Sequence, residues 1–88
     1  MILDSNSRRP NIEYPVNWGY KVIGENVDKL IAAIEESVKG FEYEITPSNI
    51  STGGKYYSLN LNVLVESEVI RDLIFQKLEE HPHIKMVI

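Results

Sequence analysis

From Trp18 to Gly24 apolar and polar positions alternate, with Trp18, Tyr20 and Val22 on one face and Gly19, Lys21 and Ile23 on the other. That two-residue period predicts a β-strand. The spacing then changes. Val27, Leu30, Ile31, Ile34 and Val38 recur at helical intervals, which predicts a helix with one buried stripe. Asn26 stands where a side-chain oxygen can cap the first turn, and Gly40 where a left-handed residue ends the last. Glu35 and Lys39 are spaced to pair on its wet side. Phe41 to Ile50 reads as a second strand, with Phe41, Tyr43 and Ile45 inward and Glu42, Glu44 and Thr46 outward. Pro47 has no N–H to give a ladder, so this strand belongs at an edge.

Ser51-Thr52-Gly53-Gly54 is a turn cluster, and the clearest alternation in the chain follows it. Tyr57, Leu59, Leu61, Val63 and Val65 face inward, and Tyr56, Ser58, Asn60 and Asn62 outward, so the two strands form a hairpin. Ser67 caps a second helix whose stripe is Ile70, Leu73, Ile74 and Leu78. Phe75 falls roughly 125° from that stripe and is expected at the surface. His81-Pro82 stops the helix, and Ile84, Met86 and Ile88, alternating with Lys85 and Val87, predict a last strand with the first three inward.

The order β-α-β-β-α-β with two one-faced helices predicts an α+β, ferredoxin-like two-layer sandwich. Right-handed crossovers place the strands in antiparallel order 4-1-3-2, with both helices on one side and the other side open. Residues 12–88 form this single domain, and polar residues 1–11 read as a flexible tail. At 88 residues there is room for one core only.

Composition narrows the function classes. The absence of cysteine excludes disulfides, thiol nucleophiles and thiolate metal sites, and fits a reducing, cytoplasmic setting. No apolar run reaches membrane-span length, and Arg8-Arg9 is not followed by the apolar stretch of a signal peptide. The net charge of −4 argues against a phosphate-binding, nucleic-acid role.

The run Tyr14-Pro15 through Tyr20-Lys21-Val22-Ile23-Gly24, the hairpin return Gly54-Lys55-Tyr56-Tyr57-Ser58 and the ending Ile84-Lys85-Met86-Val87-Ile88 resemble the YbeD-like family of small bacterial proteins of unknown function. The resemblance implies a ferredoxin-like fold similar to ACT domains, which bind small effectors and regulate metabolic enzymes. It implies no catalytic residues. In ACT-like proteins effectors bind near the turn after the first strand, which here is Gly24-Glu25-Asn26.

Candidate chemistry is sparse. His81 and His83 fall short of the three or four ligands zinc asks for, and read as a turn after a helix. Glu35-Glu36 and Glu79-Glu80 lie on polar helix faces, and Glu42 and Glu44 on the open sheet face lack a partner acid. No Gly-x-Ser-x-Gly elbow is present, and Gly53-Gly54 lacks the Lys-Ser/Thr ending of a phosphate loop. The open face, expected to carry Lys21, Tyr56, Ser58, Asn60 and Lys85 with the two lysines adjacent, offers one aromatic where RNA-binding sheets use two or three.

These readings lead to a non-enzymatic regulatory or interaction domain of ACT-like architecture, without catalytic residues, metal or cofactor. Its expected binding residues are Gly24, Glu25 and Asn26, and its expected interaction face is Lys21, Tyr56, Ser58, Asn60 and Lys85. The partners to expect are a second copy, a partner enzyme or a small metabolite. A nucleic-acid-binding module and an enzyme whose site is completed by oligomerisation are the alternatives.

Overall fold

The structure is a computed structural model, and it describes residues 13–50 and 55–88. The predicted tail with Arg8-Arg9, and the turn Ser51-Thr52-Gly53-Gly54, lie outside the described residues. Six elements follow in the expected order: β1 (Val16–Gly24), α1 (Val27–Ser37), β2 (Tyr43–Ile50), β3 (Tyr57–Val65), α2 (Glu68–Glu80) and β4 (Met86–Val87). They form one four-stranded sheet of order β2-β3-β1-β4 with antiparallel neighbours, which is the predicted 4-1-3-2 read from the other edge.

Alternation decides which side of the sheet is covered. Tyr20 and Val22 of β1, and Leu59, Leu61, Val63 and Val65 of β3, are buried in one cluster with Leu30, Ala33 and Ile34 of α1 and Ile74 and Leu78 of α2. Their alternate neighbours Lys21, Asn60 and Asn62 stay at least partly exposed. Both helices therefore pack on the same face, the simplest way for two single-striped helices to bury their apolar sides.

The helix ends are set by the side chains expected there. The Asn26 side-chain oxygen accepts the Lys29 N–H at 3.0 Å, and Ser67 Oγ accepts the Ile70 N–H at 3.2 Å, both from extended cap backbones. Gly40, at φ +93°, takes the left-handed conformation that lets the chain leave α1. Ser67→Ala should lower the unfolding free energy by about 1 kcal/mol, the ordinary worth of an N-cap, with little change in the slope of a urea melt.

Four expectations of detail are corrected. The α2 stripe is rotated: Leu73 is 40% exposed, whereas Phe75 is partly buried against the core. Ile70, Ile74 and Leu78 centre the buried arc, and Leu73 and Phe75 lie about 100° to either side of Ile74. Both are apolar, so the side of the arc that meets the core cluster decides between them, and that is the side of Phe75. Tyr43, expected inside, is 38% exposed on the edge strand β2, where its hydroxyl donates to Glu35 Oε2 at 3.4 Å. Glu35 thus meets Tyr43 instead of the expected Lys39. In β4 the expected faces are exchanged. Ile84 is buried, but Val87 pairs with Val22 on the covered face, while Met86 pairs with Ile23 and is 54% exposed. The physical cause is the ladder: Lys21 and Ile88 exchange both backbone hydrogen bonds, at 3.1 and 2.9 Å, which sets the parity of the whole strand.

Candidate functional site

The uncovered sheet face is built in rows that the strand register dictates. One row runs Glu44, Asn62, Gly19 across β2, β3 and β1. The next runs Thr46, Asn60, Lys21 and, through its backbone bonds, Ile88. The third holds Ser58, Ile23 and Met86. Gly19 leaves the centre of this surface low, since a Cβ there would sit 3.2 Å from Asn62 Oδ1. The result is a concavity of about 350 Å³ bounded by Lys21, Thr46, Asn60, Asn62 and Ile88. Asn62 also lines a neighbouring recess of about 670 Å³ with Asn17, Glu42, Tyr43, Glu44 and Leu64. Among the described residues, Lys21, Glu42 and Glu44 enter no ion pair. An ammonium, two carboxamides, a hydroxyl and two carboxylates thus face outward within a few residues of one another. That set can donate and accept hydrogen bonds to a polar guest.

Ser58 adds a feature that sequence patterning does not show. Pro47 pairs with Leu59 and Ile50 with Tyr57, so Ser48 and Asn49 together stand opposite the single residue Ser58. This is a β-bulge in an edge strand, a device that bends the strand and interrupts its ladder. Ser58 Oγ, buried beside it, has no hydrogen-bond partner among the described residues. Tyr56 lies just before β3 and is half-buried.

Lys85 is not beside Lys21, a correction that follows from the β4 ladder. Its N–H donates to the Ile23 carbonyl at 2.8 Å, and its Nζ lies 3.7 Å from Glu25 Oε2. It belongs to the turn after β1. There Gly24 is buried, and a Cβ on it would meet both the His83 carbonyl oxygen and Leu30 Cδ1 at 2.9 Å. Asn26 is occupied as the α1 cap, and its carbonyl accepts the Leu30 N–H at 2.8 Å. Packing and capping therefore account for Gly24 and Asn26, and an ion pair engages Glu25.

The histidines meet at the end of α2. His81 Nδ1 accepts the His83 N–H at 3.2 Å, so the ring proton sits on Nε2, which donates to Glu36 Oε1 at 2.7 Å. Both ring nitrogens are engaged, and the contact clips α2 to α1. The described residues hold no group of three or more metal-ligating side chains.

A second cluster went unforeseen. The Arg71 guanidinium lies 4.6 Å over the Trp18 ring, and the Tyr20 hydroxyl donates to the Arg71 carbonyl at 2.8 Å. The available signal was the placement of Trp18 and Tyr20 on the buried face, because a buried phenol needs a partner. Burial pushes the Tyr20 phenol up from 10.0 to about 12, against the opposing charge of Arg71. With the folded value above the unfolded one, Tyr20 contributes full stability below pH about 10 and loses that contribution as pH climbs through about 12. Urea midpoints should therefore fall across that window, and Tyr20→Phe should flatten the fall.

An antiparallel sheet with two helices on one face and a polar concavity on the other defines the class: a ferredoxin-like α+β domain with an open sheet surface. The family model described as "Protein of unknown function (DUF493)" matches residues 9–88, and the chain belongs to that family. An uncharacterised protein of Campylobacter jejuni is 44% identical over 72 residues, covering 82% of this chain and 83% of its own. A UPF0250 protein of Chromobacterium violaceum is 28% identical over 88 residues, covering 96% and 99% respectively. The YbeD-like resemblance read from the sequence is borne out by these relatives. The solution structure of protein HP0495 from H. pylori superposes with a TM-score of 0.86 at 28% identity, over 98% of this chain and 94% of that one. No helix among the described residues is long and apolar enough to cross a membrane.

Proposed function

We propose that this chain is a non-enzymatic interaction domain of regulatory, ACT-like type that holds a small polar metabolite or a segment of a partner enzyme on its open sheet face. The observation that carries the reading is the concavity over Gly19, ringed by Lys21, Thr46, Asn60 and Asn62. Those groups bind and orient: an ammonium for an anionic group, amides for paired donors and acceptors, and a low floor that lets a guest approach the backbone. The turn Gly24-Glu25-Asn26 does not line this concavity, and its Glu25 is bridged to Lys85. The cysteine-free, acidic composition supports a cytosolic place of work.

The test is a thermal-shift panel of amino acids and cofactors, run on the wild type and on Lys21→Glu and Asn62→Ala. A true ligand raises the melting temperature with its concentration, by about 2.7 kcal/mol of added stability at a hundredfold excess over Kd. The expected result is a shift that both substitutions abolish while leaving the ligand-free melt almost unmoved. A shift that survives in both would remove the open face from the reading.

A further inference from the structure

We infer that β4 is a docking edge for a second copy of this chain, joining two four-stranded sheets side by side into one. The sheet has two edges, and they are treated differently. β2 carries Pro47 and the bulge at Ser48–Asn49, both of which discourage a further strand from pairing there. β4 carries neither.

Its hydrogen bonding shows what it presents. Lys21 and Ile88 exchange N–H and carbonyl bonds reciprocally, so the adjoining pair Val22 and Val87 is a non-hydrogen-bonded one. The Val87 N–H and carbonyl consequently point away from β1, toward the free edge. Flanking Val87 on the open face stand Met86 and Ile88, 54% and 68% exposed. A two-fold axis perpendicular to the sheet, level with Val87 and midway between the two β4 strands, would pair Val87 with its copy. The same rotation sets Met86 against Ile88 of the second copy, and Ile88 against its Met86. Two exposed apolar side chains are covered twice over by one symmetry operation, and the unused backbone groups satisfy each other. A second copy fits this edge because the pattern is complementary to itself, which is what a two-fold interface requires.

An edge this short makes a small contact, in the range of weak, transient interfaces below about 1,200 Å². Association should therefore depend on concentration. The edge shares Ile88 with the rim of the concavity over Gly19, but the pairing rests on the β4 backbone and Met86, so the inference stands apart from the binding role proposed above.

Sedimentation velocity from micromolar to millimolar protein provides the test. The wild type should move reversibly from monomer toward dimer. Met86→Lys combined with Ile88→Lys places like charges opposite one another and should leave a monomer throughout that range. Met86→Glu combined with Ile88→Lys places opposite charges together and should restore association, in a form weakened by salt. Both positions are exposed in the monomer, so unchanged melting curves should confirm that each variant folds. A wild type that stays monomeric at millimolar concentration overturns the inference, as does a double-lysine variant that associates like the wild type.

Discussion

Leu61→Ala should cost about 2–5 kcal/mol of folding stability, whereas Asn62→Ala, one residue further along β3, should cost almost nothing. Leu61 is fully buried between Tyr20 of β1 and Ile45 of β2 in the strand register, under both helices. Truncating it removes apolar burial and leaves a cavity that β3, held between β1 and β2, cannot close. Asn62 points to the open face, where water replaces what the amide loses. In a domain of this size each kcal/mol moves the melting point by roughly 4–8 °C, so Leu61→Ala should lower it by roughly 10 °C or more. Equal losses at the two positions would mean that the two faces of β3 are not distinguished as described. The pair also separates stability from binding, because the Asn62 variant keeps the fold while altering the concavity.

Gly24→Ala should be the next most damaging change, by about 1–3 kcal/mol. No unusual backbone torsion is involved, since among the described glycines it is Gly40 that has positive φ. The obstacle is space. The new methyl would sit 2.9 Å from the His83 carbonyl oxygen and from Leu30 Cδ1. Leu30 can adjust its rotamer, but the carbonyl belongs to the backbone that leads into β4, so relief requires moving that segment. The loss should appear in a chemical melt without any ligand. If Gly24→Ala melts like the wild type, the close approach of the two segments is looser than described, and the glycine would have to be explained by what binds at the turn.

Much of this architecture can be read along the chain, because its signals are local and mutually consistent. Asn26 and Ser67 mark helix starts through their own side-chain oxygens, and Gly40 marks an end by its torsion. The long alternation through β3 leaves no choice of face. The misread parts lack that redundancy. Ile84 to Ile88 is too short and too uniformly apolar for its parity to be visible, and hydrogen bonds to Lys21 settle it from another strand. In α2, Leu73 and Phe75 flank the stripe on opposite sides, and packing against the core takes Phe75 and leaves Leu73 out. The candidate site was legible as a face, through Lys21, Ser58 and Asn60, but not as a shape. Its depth comes from Gly19 meeting Asn62 across a register that no residue spacing reveals, and the bulge opposite Ser58 sets two residues of β2 against one of β3, which side-chain alternation does not display.

The stacking of Arg71 on Trp18 gives the protein an optical reporter of its own. Trp18 is the sole tryptophan in the chain, and the guanidinium above it is carried by α2. Its emission therefore tracks whether that helix is seated on β1, free of interference from any other indole. An undocked α2 would betray itself as a red-shifted, more quenchable spectrum well before circular dichroism registered a lost turn.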